Sequence, residues 1–356
     1  MSRWVDGLEA AAQEKIPEPV HRYFRQGAAD GVSAAEATAA WRSLRFWPRV
    51  LRDVSGVDTQ TSVLGSKVSA PILVAPTSLQ REAHPGGEAE MADGVEEAGS
   101  LVCVSSNAGL AFSDIAGPHG LWWVQAYVLR DRGLTQAMLD RAVEAGARAV
   151  VLTVDTPVVG AKDDDGPTVW DTVPADHQHA NVDTASASDT ALEKAADLTP
   201  DDIGWLVEAT GLPVVVKGVL RADDAHAAVR AGAAGVWVSN HGGRQLDQAV
   251  PTAVALRGVA DAVGDQAEVY VDGGVRSGRD VLAALALGAR AVFLGRPPLW
   301  ALCCGGRQGV SQLLQVVAEE LSEAMTLGGC ASVEQIGGDL LGGRHLPCDG
   351  HHKEWI

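Results

Sequence analysis

A chain of 356 residues that is 46% hydrophobic and 21% charged can bury a large core, which excludes a disordered acidic protein in spite of a formal net charge of −18. Its 40 glycines follow no three-residue period, which excludes a collagen-like chain. With 28 Lys+Arg against 46 Asp+Glu and no basic run, nucleic acid and anionic membrane surfaces are excluded as partners.

No stretch reaches the ~20 apolar residues that a bilayer span requires. Residues 1–15 alternate apolar with charged side chains and lack the apolar block of a signal peptide. The cysteines Cys103, Cys303, Cys304, Cys330 and Cys348 are few and odd in number. They fit a reducing cytoplasm better than a disulfide framework. Cys303 and Cys304 are adjacent, not spaced as structural zinc requires, so no metal is expected.

Residues 4–24 and 34–43 read as helices, so that 1–55 forms a helical cap. Short β-branched apolar runs then recur at 71–75, 101–104, 121–128, 149–154, 213–217, 235–239, 268–272 and 291–295, each followed by a turn and a helical pattern. Continuous apolar runs alternating with helices indicate a parallel sheet buried on both faces. The stretches 144–155, 230–240 and 287–296 look alike, each a helix closed by glycine and followed by a buried strand. Such units in series predict an α/β fold, a (β/α)8 TIM barrel in a single domain over 1–356. A doubly wound sheet is the alternative. It usually carries GxGxxG after its first strand, where this chain has Ala75-Pro76-Thr77-Ser78. The connection after the fourth strand, 158–198, is long and polar and reads as a mobile lid, or more plainly as a linker. Residues 308–327 form an amphipathic helix stopped by Gly328-Gly329, within a C-terminal helical region over 307–340.

Barrel chemistry sits at the C-terminal ends of the strands. There the sequence places Thr77 and Ser78, Ser105 with Asn107, Gln125 with Tyr127, Thr153 with Asp155, and Lys217. The last three ends carry Ser239-Asn240-His241-Gly242-Gly243-Arg244, Asp272-Gly273-Gly274-Val275-Arg276 and Gly295-Arg296. Polar residues at every end are not explained by core packing. Glycines with Arg276 and Arg296 after strands seven and eight fit a phosphate site, the plainer reading being turn glycines with surface arginines. His241 is the natural base, Asp155 can orient it, and Arg244 can hold a carboxylate. Lys217 can stabilise negative charge on a cofactor ring, or merely snorkel.

Taken together, these residues resemble the FMN-dependent α-hydroxy acid oxidase and dehydrogenase family, which includes glycolate, lactate and hydroxymandelate oxidases. The likeness runs from about 16 to 329. It rests on Val-His-Arg-Tyr-Phe around Tyr23, Pro-Arg-Val-Leu-Arg-Asp-Val at 48–54, Ala-Pro-Thr at 75–77 and Gln-Ala-Tyr at 125–127. Further matches are Leu-Thr-Val-Asp-Thr-Pro at 152–157, Val-Lys-Gly at 216–218 and Ser-Asn-His-Gly-Gly-Arg-Gln-Leu-Asp at 239–247. Asp-Gly-Gly-Val-Arg at 272–276 and Leu-Gly-Arg-Pro at 294–297 complete the set. Any one motif is weak; all of them in order on the predicted strands are specific.

The resemblance implies FMN at the barrel mouth. Its phosphate would meet Gly274, Arg276, Gly295 and Arg296, with Asp272 and Gly273 also in contact with the cofactor. Its ring would be held by Thr77, Ser78, Ser105, Gln125, Thr153, Lys217 and Ser239. His241 would take a proton while an (S)-α-hydroxy acid is oxidised to the keto acid, with Asp155 stabilising the imidazolium. Tyr23 and Arg244 would grip the carboxylate, and Tyr127 the substrate hydroxyl. Oxygen is the expected acceptor, giving H2O2, because the connection at 158–198 is polar where membrane-bound relatives carry an apolar insertion. Another soluble acceptor, a non-redox FMN-dependent isomerase and a phosphate-binding module that has lost catalysis are the alternatives. A barrel dehydrogenase attacking through cysteine is not, since no cysteine ends strands five to seven. A homotetramer or homo-octamer follows from the likeness alone.

Three positions depart from the family pattern. Lys162, followed by Asp163-Asp164-Asp165, stands where the family carries a carboxylate-binding arginine. An ammonium is not equivalent to a bidentate fork, so carboxylate binding would loosen, or the substrate would bear a positive group. Ser78 replaces a residue that is often Ala or Gly against the flavin. Asn107 replaces a bulky aromatic, which predicts a substrate larger than glycolate.

Overall fold

The computed structural model describes residues 2–115, 120–162, 168–174, 177–184 and 187–342. Eight parallel strands close into a barrel: β1 (Ile72–Val74), β2 (Val102–Val104), β3 (Trp122–Ala126), β4 (Val150–Thr153), β5 (Val214–Val219), β6 (Gly235–Val238), β7 (Glu268–Val271) and β8 (Ala291–Leu294). Chain neighbours pair, and β8 returns to β1 with Val292 opposite Ile72. The order is that of the expected (β/α)8 barrel, not of an open doubly wound sheet.

The two-sided burial explains the continuous apolar runs. Leu73, Cys103, Trp123, Val151, Val215, Trp237, Tyr270 and Phe293 fill the interior. Their strand neighbours, such as Ile72, Val102, Val150 and Val214, pack outward with the helices. Large rings do much of the filling: Trp237 stacks on Phe293 at 3.7 Å, and Trp123 meets Tyr270 edge-on.

A hairpin absent from the sequence expectations closes the N-terminal end. Thr61–Val63 pairs antiparallel with Ser66–Val68, and Val63 and Val68 join the interior cluster. The Leu64 N–H donates to the Glu268 carboxylate at 3.1 Å, at the start of β7. Its turn holds Leu64 at φ 44° and Gly65 at φ 78°. That left-handed pair is the usual hairpin geometry, here without the usual Asn or Asp in first place.

The other end is covered by the cap. Residues 4–24 belong to two helices, α1 (Ser2–Gln13) and α2 (Glu18–Arg25), not one. Pro17 lacks an N–H, takes ψ 145°, and marks the start of the second. A third helix, α3 (Val32–Arg42), carries Trp41, whose Nε1–H donates to Gly273 O at 2.7 Å just beyond β7. The described parts of the 158–198 connection are anchored to the barrel. Asn181 accepts from the Phe112 N–H and donates to Leu110 O, His177 pairs with Glu82 at 2.6 Å, and Lys194 bridges to Leu129.

The final helix, Arg296–Gly328, starts directly at the end of β8. Gly305 and Gly306 interrupt it, so the segment predicted from 308 is its second half, and Gly329 ends it in the left-handed conformation at φ 73°. Short 3₁₀ turns follow at Val333–Gln335 and Gly338–Leu340. Among the described residues no helix is long and apolar enough to cross a membrane, and no cluster of His, Cys, Asp or Glu could hold a metal ion.

Candidate active site

A cavity of about 400 Å³ opens at the C-terminal ends of the strands, walled on one side by α2 and on another by Val169 and Trp170. The residues expected after each strand converge on it. Thr77, Ser78, Ser105, Asn107, Gln125, Tyr127, Thr153, Lys162 and Lys217 line it, as do Tyr23, His241, Arg244, Asp272, Gly273, Gly274, Arg276, Gly295 and Arg296. Asp155 and Ser239 stand behind this lining. Asp163, Asp164 and Asp165, like Cys348, lie outside the described residues.

His241 is held by its neighbours on both ring nitrogens. Asp155 Oδ1 is 2.9 Å from Nδ1, and Tyr127 Oη is 3.4 Å from Nε2. A carboxylate beside Nδ1 fixes the proton there and leaves the Nε2 lone pair for the cavity. Burial pushes the His241 pKa below its ordinary value, against the opposing pull of Asp155. The imidazole is therefore neutral near pH 7. Burial raises Asp155, but the hydrogen bond from His241, with the charge of Lys217 and the hydrogen bond of Thr156 adding to it, outweighs burial, so the carboxyl stays below its usual range. His241 itself sits at φ 58°, a left-handed conformation uncommon for a non-glycine residue and often found at functional sites. Gly218 at φ 108° makes room for Asp155, because a Cβ there would run into its side chain.

Lys217 projects from β5 into a buried polar triangle. Its Nζ donates to Ser239 Oγ at 2.9 Å and lies 3.2 Å from Asp272 Oδ2. Burial opposes its charge, but Asp272 and Asp155 restore it and leave the pKa raised. Ser239 is fully buried within this triangle. It donates to Asp272 Oδ1 at 2.7 Å and accepts the His241 N–H, so it positions the lysine and the histidine. On the opposite wall a chain of amide and hydroxyl groups links neighbouring strands. Ser78 and Ser105 meet at 3.2 Å, Ser105 donates to Gln125 Oε1, and the Gln125 amide donates to Thr153 Oγ1 at 3.1 Å.

The β7 and β8 ends carry positive charge that the protein does not neutralise. Arg296 donates to the carbonyls of Phe24, Gly242 and Gln26, and Arg276 to that of Val275. Neither has an acidic ion-pair partner among the described residues. Burial pushes Arg296 down to about 9, helped by Arg244 and Arg276, and lowers Arg276 too. Two half-buried guanidinium groups with only neutral partners call for an anion. Gly295 leaves open space where a side chain would stand, and a side chain at Gly274 would strike Ala37 of α3. The donor set fits FMN: guanidinium groups for the phosphate, and the strand-end amide, hydroxyls and Lys217 for the ring.

The substrate side differs in part from expectation. Arg244 lies over the Tyr23 ring at 4.9 Å, and its Nη1 donates to Tyr23 O and Gln26 O. Lys162 lines the cavity, but its ammonium donates to Gly160 O and Arg244 O and so supports the Arg244 loop. Among the lining residues that the sequence does not mark are Trp170 and Lys194. Trp170 packs edge-on against Tyr23 at 5.5 Å. Lys194 places its ammonium 3.6 Å above the Tyr127 ring, and burial pushes it down to about 8 against the pull of Asp155. Both belong to a connection without periodicity, so no local pattern marks them.

Residues 12–342 match the family described as FMN-dependent dehydrogenase. Glycolate oxidase 3 of Arabidopsis thaliana is 42% identical over 341 residues, covering 92% of each chain. 2-Hydroxyacid oxidase 1 of Homo sapiens is 39% identical, covering 93% of this chain and 94% of its own. Among solved structures, mandelate oxidase with (S)-2-phenylpropionate superposes with a TM-score of 0.86 at 38% identity, covering 95% of this chain and 97% of the other.

Proposed function

Because the chain belongs to the FMN-dependent dehydrogenase family, we propose that it oxidises an α-hydroxy acid to the corresponding α-keto acid. The observation that carries this is one cavity in which a neutral, carboxylate-backed His241 shares a wall with Tyr127, Tyr23 and Arg244. FMN, when bound, supplies the two-electron acceptor.

Arg244 presents a fixed guanidinium to the substrate carboxylate, and Tyr23 beside it limits how that carboxylate sits. Nε2 of His241 then receives the proton that the substrate loses, with Asp155 steadying the imidazolium. Burial raises the Tyr127 hydroxyl well above its ordinary pKa, so it stays protonated and donates a hydrogen bond to the substrate hydroxyl. Lys217 holds a fixed positive charge at the ring end, backed by Asp272 and oriented by Ser239. Arg276, Arg296 and the Gly274 and Gly295 backbones hold the phosphate.

Finer assignments rest on narrower support. Asn107, with apolar Val159, Val169 and Trp170 around the cavity, supports a substrate larger than glycolate. The polar 158–198 connection supports oxygen as the acceptor. The exposed apolar run Trp47, Val50 and Leu51 supports a homo-oligomer, and the free thiols Cys103, Cys303, Cys304 and Cys330 support the cytoplasm. His241→Asn in the FMN-loaded protein tests the central assignment. Flavin reduction by a reactive hydroxy acid, followed without air, should slow by about 10³-fold with the flavin still bound. An undiminished rate would remove His241 from the mechanism.

A further inference from the structure

We propose that Lys194 forms a subsite for a second anionic group on the substrate, so that the preferred α-hydroxy acid is a short diacid. The inference rests on the α-hydroxy acid oxidase reading and specifies its substrate class.

Each of the other cations facing the cavity already has work. Lys217 is paired with Asp272, and Arg276 with Arg296 marks the phosphate end. Arg244 is the carboxylate fork, Lys162 is tied to two carbonyls, and Arg22 pairs with Glu18. Lys194 differs from all of these. Its ammonium has neither a hydrogen bond nor an ion pair among the described residues, only the face of Tyr127 at 3.6 Å. It lines the cavity, and the Leu129–Lys194 bridge fixes the backbone that presents it. A half-buried ammonium whose neighbours supply only a ring face and the distant charge of Asp155 is stabilised by any anion that reaches it.

The position sets what that anion belongs to. Tyr127 meets His241 Nε2 through its hydroxyl and Lys194 through its ring, so the ammonium stands across one aromatic ring from the base. A substrate whose α-carbon lies at Nε2 and whose α-carboxylate lies on Arg244 therefore directs a short side chain toward Lys194. The lining carboxylate Asp272 is occupied by Lys217 and Ser239, and Asp155 stands behind the lining on His241, so the described residues offer a positive side chain no free acidic partner. A terminal carboxylate gains a charge-assisted hydrogen bond there, which is expected to favour it by about tenfold or more over a neutral chain of the same length.

The test compares (S)-2-hydroxyglutarate with (S)-2-hydroxyhexanoate on FMN-loaded protein, by anaerobic flavin reduction. Binding of 2-oxoglutarate and 2-oxohexanoate, measured by calorimetry, gives a readout independent of turnover. The expected result is a diacid preference of at least about tenfold in both measurements, a preference that falls about tenfold in Lys194→Met and returns in Lys194→Arg. Methionine keeps an apolar stem against Tyr127, so a merely structural role for Lys194 would leave the ratio unchanged. Reaction of the neutral acid with no diacid preference overturns the subsite and leaves the oxidase assignment standing. The same holds for a preference that survives in Lys194→Met. Failure of both acids to react and of both keto acids to bind overturns the two together.

Discussion

The two halves of the cavity are built differently. At the β7 and β8 ends, the groups proposed to meet the phosphate lie within a few residues of their strands: Gly274, Arg276, Gly295 and Arg296. On the substrate side the wall is assembled from separate parts of the chain: Tyr23 from α2, Trp170 and Lys194 from the long connection, and Arg244 from the loop after β6. The first half is a local device, and a strand end with glycine and arginine already specifies it. The second depends on tertiary placement, which leaves it freer to differ among barrels of one family.

At the cofactor end the expected effect falls on binding. If Arg276 and Arg296 are uncompensated until an anion arrives, replacing both by leucine should weaken FMN binding by about 10²-fold or more, measured by fluorescence titration of the apoprotein. It should also lose the pull of phosphate alone. Unchanged FMN affinity would mean that the two ends do not differ in the way described.

A smaller effect should separate positioning from chemistry on the other half. His241 must be neutral to accept a proton, and its pKa lies below the ordinary 6.5 because of burial. The limb of kcat/KM against pH should therefore fall on the acid side, with a midpoint below 6.5. Asp155 raises that pKa, so Asp155→Asn should move the limb further toward acid while slowing flavin reduction by about 10²-fold. A limb that moves upward would place the titrating group elsewhere.

The same contrast governs what could be read from sequence. Parallel strands buried on both faces leave a visible rhythm of apolar runs, and the polar residue after each run is a strand end by construction. The barrel, the placing of His241 beside Asp155 and that of Arg276 and Arg296 at one end of the cavity were legible for that reason. Pro17 was an available signal for splitting 4–24 into two helices. The hairpin turn at Leu64-Gly65 lacks the Asn or Asp that usually announces it. Lys194 and Trp170 carry no periodic signal, because only the Leu129–Lys194 bridge and the Tyr23 contact bring them to the cavity. Ser239 stands at the expected strand end, and its bonds to Asp272 and the His241 N–H are a placement that only packing makes.

The most direct measurement is the visible spectrum of the FMN-loaded protein as α-hydroxy acids of different size and charge are added without air. Bleaching of the flavin band by at least one α-hydroxy acid, with the matching keto acid recovered in equal amount, is the predicted result. A protein that binds FMN yet is bleached by none of them, or one that does not bind FMN at all, would contradict the account.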